Sequence, residues 1–125
     1  MSEPPSAAVE RLEHDQFIWL ATVRPDGRPH LVPLWYVWAA GRIYLCIQAN
    51  SVKARNMQAN PEVSLALDHG ERPVLVEGVA AILEPPWPDL ARQGFQHKYH
   101  WNIAADADYD LLLAVTPGKW LNWSI

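Results

Sequence analysis

Residues 50–68 read NSVKARNMQANPEVSLALD. Asn50 and Ser51 are helix-capping residues, because short polar side chains accept from the free backbone N–H groups of a first helical turn. SVKARNMQA then reads as a short helix that must stop at Asn60-Pro61, since a proline bars helical backbone at the residue before it. EVSLALD alternates, with Val63, Leu65 and Leu67 on one side, the period of a half-buried strand. RIYLCIQ, just upstream, is apolar and rich in β-formers. The helix is therefore a connection between two strands.

The same reading extends in both directions. FIWLATVR (17–24) predicts a strand ending at the turn Pro25-Asp26-Gly27, and HLVPLWYVW (30–38) predicts a second strand that closes a hairpin. Pro33 has no N–H to give to a ladder, so that strand lies at an edge or carries a bulge. Ala40-Gly41 turns the chain into RIYLCIQ. Before the hairpin, Ala7 to His14 predicts a short helix capped by Ser6, behind a tail of residues 1–5. After residue 68, HGERP is a turn, and VLVEGVAAILE (74–84) is a longer strand that Gly78 bulges or bends. Pro85, Pro86 and Pro88 break the sheet, residues 87–100 read as helical, and YDLLLAVTP (109–117) is a final strand leading into KWLNWSI. The order β-β-β-α-β-β-α-β, with tight turns, predicts a mainly β, antiparallel barrel in one domain, its gaps covered by helices.

Composition narrows the function. With 125 residues, 50% hydrophobic and 19% charged, the chain has the make-up of a single globular domain. No apolar run approaches the roughly 20 residues of a membrane span. The acidic N-terminus lacks a signal-peptide pattern, and a lone Cys46 suits a reducing compartment, so the expectation is cytoplasmic. The net charge of −4 argues against a nucleic-acid partner. Residues 24–55, however, carry five basic residues against one acidic, a net of +4, while the rest of the chain carries −8. A positive third within an acidic protein suits a small anion, although arginines that merely decorate turns give the same count.

The anion has an obvious place. A helix beginning at Ser51 offers free N–H groups and the positive end of its dipole, with Lys53 in the first turn and Asn56 on the same face. Arg55 lies on another side of the helix and would serve a different part of a ligand or a partner chain. The spacing equally fits a capped surface helix whose Lys53 and Arg55 are only solvated. Other chemistries have less support. His14, His30, His69, His97 and His100 show no metal spacing beyond the His97/His100 pair, which has no nearby cysteine or carboxylate to complete a site. Cys46 sits in an apolar strand and reads as an inert core thiol. There is no Gly-rich phosphate loop and no nucleophile elbow.

Segment 50–68 is similar to the phosphate-binding helix of pyridoxamine-phosphate-oxidase-like proteins, in which Ser-x-Lys opens a helix that ends in Asn-Pro before a Val-Ser-Leu strand. The hairpin ATVRPDGRPHLVPLWYVW, the strand VEGVA and the close from Tyr109 through TP-x-K resemble that superfamily as well, so the likeness runs from about Phe17 to Trp123. The resemblance implies an antiparallel split β-barrel of the FMN-binding-protein type with two or three peripheral helices. It also implies a homodimer with cofactor sites at the subunit interface. The cofactor is FMN or the deazaflavin factor 420, with FMN preferred because the superfamily uses it more broadly and the matching Lys53 is present. The ring would lie against Val32, Pro33, Leu34 and Trp35 and against Cys46 and Ile47. Ser51, Lys53, Arg55 and Asn56 would serve the phosphate end. Trp35 and Trp38 are candidates to stack on the ring, although strand aromatics usually belong to the core. Trp120 and Trp123 would cover the site from the second subunit. Val52 departs from the pattern, since many FMN-binding members carry Arg there, and the Arg-rich C-terminal segment of true pyridoxamine-phosphate oxidases is not visible. Two functions follow: an oxidoreductase moving a hydride between cofactor and a small conjugated substrate, or a non-catalytic carrier of flavin or haem. The enzyme is the preferred reading.

Overall fold

The computed structural model describes residues 2–68 and 72–122. Helix α1 (Ser6–His14) precedes strands β1 (Ile18–Val23), β2 (Pro29–Leu34), β3 (Val37–Ala39) and β4 (Arg42–Ile47). Helix α2 (Val52–Ala59) leads to β5 (Glu62–Leu67) and β6 (Val74–Leu83). Helix α3 (Asp89–Tyr99), a 3-10 turn (Ile103–Ala105) and β7 (Leu111–Asn122) complete the chain. All strand pairs are antiparallel, in one sheet of order β2-β1-β5-β6-β7-β4-β3.

That order has a geometric consequence. Strands β2 and β3 occupy opposite edges of the seven-stranded sheet, yet only Trp35 and Tyr36 separate them in the chain. Three Cα steps, from Leu34 to Val37, reach at most about 11 Å. The two edges must therefore lie side by side, and the sheet curls into a barrel left open between them. This is a split barrel, with Trp35-Tyr36 crossing the split.

The crossing corrects one expectation from the sequence, which joined residues 30–38 into a single strand. The apolar pattern runs through unbroken, but the chain changes edge in the middle of it. Two smaller corrections concern ends. Helix α1 starts at Ser6 itself, behind Pro5, and has no side-chain cap. Strand β7 does not end at Pro117 but continues to Asn122. Pro117 is tolerated because it faces Gly78 at the register shift between Glu77 and Gly78, where the β6–β7 ladder is already interrupted.

The core has two parts. Ile18, Leu20, Ile43, Leu45, Leu65, Val76, Leu113 and Val115 fill the barrel, joined by Leu12 of α1 and Ala54 and Met57 of α2. Val37, Tyr44, Cys46, Leu112 and Ala114 face the other way, onto Ala91 and Phe95 of α3 and Ile103 of the 3-10 turn. Strands β4 and β7 are thus buried on both faces, which is why RIYLCIQ and LLLAV read as continuous apolar runs. Helix α3 packs so closely that a Cβ on Gly94 would stand 2.6 Å from Val37 Cγ1.

Candidate functional site at the split

A cavity of about 660 Å³ opens at the split. Pro33, Leu34 and Trp35 line it from the end of β2, Cys46 and Ile47 from β4, and Lys53 from the first turn of α2. Tyr99, His100, Trp101, Asp106 and Tyr109 line it from the segment between α3 and β7, and Phe17 from before β1.

The crossing residues are firmly held. Tyr36 is buried, and its hydroxyl donates to Leu12 O at 2.7 Å. Its backbone N–H donates to Tyr99 Oη at 3.0 Å, and its carbonyl accepts from Lys98 Nζ at 3.1 Å. The Lys98 ammonium also lies 3.7 Å from the Tyr36 ring centroid. Burial lowers Lys98 to about 8, against a smaller upward pull from Asp15. Burial likewise raises both phenols, Tyr99 to about 12. Trp35 emerges from this anchor 44% exposed, with Tyr99 stacked on one face and Trp101 against it edge-on, centroids 5.9 Å apart at 72°. Trp101 meets Tyr109 at 89° and 5.3 Å, and its Nε1 donates to Asp106 Oδ2 at 2.9 Å. That bond, together with the backbone N–H groups of Asp108 and Tyr109, holds the Asp106 carboxyl below the usual range.

Lys53 is half-buried and has no hydrogen bond or ion pair among the described residues. Burial alone lowers its titration. His30 is close enough to be held low by burial, Arg24 and Lys53 in turn, and its Nδ1 is buried without a partner. This end of the cavity is therefore electropositive and its cation is uncompensated.

Other candidates from the sequence sit elsewhere. Ser51 caps α2, accepting from Ala54 N at 3.2 Å and donating to Gln48 O at 2.7 Å. Asn56 is buried and donates to Thr22 Oγ1 at 3.0 Å, tying α2 to β1. Arg55 is exposed and donates to Asn50 O at 2.8 Å. Val32 is paired with Leu20 and so shares the barrel-facing side of the sheet. Trp38 and Trp120 pack edge-to-face, centroids 5.8 Å apart, against the barrel core. Trp123 and His69 lie outside the described residues. Cys46 is buried, with its thiol donating to Tyr109 O at 3.5 Å. Burial first, then Asp106 and Asp110, pushes that thiol up to about 12, which disfavours the nucleophilic thiolate. Among the described residues there is no group of three or more His, Cys, Asp or Glu that could hold a metal ion.

Half of the cavity wall escaped the sequence reading. Phe17, Tyr99, His100, Trp101, Asp106 and Tyr109 come from helix ends and an irregular segment, where no periodicity exists to read. Their one signal was the density of aromatic residues around Tyr99-His100-Trp101.

A curled antiparallel sheet, open at one seam and with its cavity at that seam, defines the split-barrel class. The family model described as pyridoxamine 5′-phosphate oxidase matches residues 5–124, and the chain belongs to that family. Among solved structures, one titled F420 reductase is 26% identical, with a TM-score of 0.76 over 94% of this chain and 98% of its own. The conserved hypothetical protein Rv2991 from Mycobacterium tuberculosis is 25% identical, with a TM-score of 0.69 over 99% and 88%. HutZ, the heme storage protein from Vibrio cholerae, is 20% identical, with a TM-score of 0.74 over 97% and 95%, and shows likeness of fold alone. Among curated proteins there is no match to this sequence.

Proposed function

We propose that this protein is a flavin- or deazaflavin-dependent oxidoreductase that moves a hydride between its cofactor and a small conjugated substrate, with FMN the preferred cofactor. The observation that carries the reading is Lys53: a half-buried ammonium, unpaired among the described residues, at the cavity end where α2 begins. An anionic group is what such a site lacks, and a phosphate fits it. Pro33 to Trp35 and Cys46-Ile47 form the wall along which a flat ring would lie, with strand backbone available to its edge. Ser51, Arg55 and Asn56 would support that end by shaping α2 and its entry. The similarity to a structure titled F420 reductase supports a deazaflavin as the alternative cofactor. When bound, such a cofactor supplies the hydride chemistry itself, while the protein's residues orient ring and substrate and exclude water.

Titration with FMN and with factor 420, monitored by absorbance, tests the proposal. Lys53→Ala should weaken binding of the true cofactor about 10- to 150-fold, one charge-assisted contact. Identical titration curves for wild type and variant would remove the phosphate from this site. His100 on the cavity wall favours a second reading, a non-catalytic carrier of flavin or haem, since an imidazole can ligate haem iron. The absorption spectrum and mass of the copurifying ligand separate the two.

The reading includes a homodimer with the cofactor sites along its interface. Register places Pro33, Trp19, Ala66, Leu75 and Leu121 in one row across β2, β1, β5, β6 and β7. This row lies opposite to the barrel core and begins at the cavity. An apolar row on an outer face favours a copy packed face to face, whereas Pro29 and Pro33 discourage pairing along the β2 edge. A stable monomer in sedimentation at micromolar concentration would remove the dimer and the shared site. No described helix is long and apolar enough to cross a membrane, and the cytoplasm is the compartment proposed.

A further inference from the structure

The same cavity carries a second cluster, whose charge is opposite to that of Lys53. Trp35, Trp101 and Tyr109 stand successively near right angles to one another, at 72° and 89°. Tyr99 covers one face of Trp35, and the residue remains 44% exposed. Beside this corner is Asp106, whose side chain makes no ion pair among the described residues. Its three hydrogen-bond donors, Trp101 Nε1 and the N–H groups of Asp108 and Tyr109, are all neutral and hold the carboxylate in place without cancelling its charge. A carboxylate accepts about four hydrogen bonds, so one position stays open.

From this geometry we infer that the aromatic corner with Asp106 is a binding subsite for a flat organic cation with delocalised charge, such as a pyridinium ring. Perpendicular π-faces attract cations through the ring quadrupole, and a flat cation also gains stacking area on Trp35. Asp106 adds a negative charge beside the corner, which repels carboxylate and phosphate ligands. An anion entering the cavity is drawn instead to Lys53. As the substrate class of the proposed oxidoreductase the inference rests on that reading, but as a binding site it is tested without any cofactor.

Three ligands of nearly the same shape isolate charge: the 1-methylnicotinamide cation, neutral nicotinamide and anionic nicotinate. Each is titrated into the full chain, following the indole N–H resonance of Trp101 by NMR, the proton that Trp101 shares with Asp106. The cation should bind about 5- to 30-fold tighter than nicotinamide at this signal, and nicotinate weakest. Asp106→Asn, which retains an acceptor for Trp101, should reduce that ratio to about twofold or less. Trp35→Leu, at a position exposed enough to tolerate it, should weaken the cation more than the neutral ligand. Equal affinities, nicotinate binding tightest at this signal, or a ratio unchanged in both variants would overturn the subsite. If FMN and factor 420 fail to bind while the charge ranking holds, the cofactor reading falls and the subsite stands.

Discussion

Tyr99 lies flat beneath Trp35, with ring centroids 4.4 Å apart and planes 6° from parallel. The Tyr99 hydroxyl meanwhile accepts from the backbone N–H of Tyr36, the neighbouring residue. One side chain from the end of α3 therefore fixes both the backbone that crosses the split and the aromatic wall beside it.

Tyr99→Phe removes the hydroxyl while keeping the ring. The Tyr36 N–H then loses its partner in a part-buried setting, at a cost of about 1–3 kcal/mol. Urea unfolding should show this as a lower midpoint with an unchanged slope. A change below about 0.5 kcal/mol, the usual range for surface substitutions, would mean water replaces the hydroxyl and the anchor is not structural.

Lys98 should make stability rise with pH. Its folded value of about 8 lies below the ordinary lysine value of 10.5, so between these limits the unfolded chain binds more protons than the folded one. Stability contributed by this group therefore increases as pH climbs from about 8 toward 10.5, and is flat well below 8. Because Lys98 is partly exposed, screening limits the gain to roughly 1 kcal/mol. Comparing wild type with Lys98→Met at pH 7 and 9.5 isolates it, since Tyr36 and Tyr99 remain protonated there. The wild type should gain on the variant at the higher pH, and parallel pH dependence in the two proteins would rule out this role.

Gly78 has no room for a side chain. A Cβ at that position would stand 2.6 Å from Thr116 O, a backbone atom held in the β6–β7 ladder. Gly78→Ala is expected to destabilise the fold by about 1–3 kcal/mol through this overlap. Thermal unfolding provides the check, and a midpoint equal to that of wild type would show that the bulge relaxes freely.

Val52 distinguishes the two cofactors. It is 37% exposed at the start of α2, beside Lys53, so an arginine can be accommodated. With FMN as the natural cofactor, Val52→Arg should add a bidentate phosphate contact and tighten FMN binding about tenfold or more. With the deazaflavin, whose longer phosphodiester tail needs that space, the same substitution should bring no improvement. Wild-type binding of factor 420 tenfold tighter than FMN, together with a loss in Val52→Arg, would reverse the preference for FMN.

Much of the fold was legible because local sterics and periodicity write it into short stretches. The alternation of Val63, Leu65 and Leu67, the cap at Ser51, the stop at Pro61 and the irregularity at Gly78 each depend on neighbours a few residues away. From these the strands, the α2 helix and the mainly β class follow. Pro33 correctly announced an edge strand. What the local pattern could not show is that residues 30–38 leave one edge of the sheet and join the other, because an apolar run looks the same on either side of the crossing.

The sequence by itself determined the elements, their antiparallel succession, and a cation in the first turn of a capped helix. Tertiary structure alone decided which residues meet. Asn56 looked like a ligand of the helix N-terminus, yet closure of the barrel brings it against Thr22, 34 positions away, where it serves as an internal tie. Tyr99 lies 63 positions from Tyr36, and no periodicity spans that distance. Trp101, Asp106 and Tyr109 are in irregular chain whose placement depends on how α3 seats against β3. Local backbone preferences act over a few residues. A cavity at a seam exists only once long-range strand register has curled the sheet and brought its two edges together.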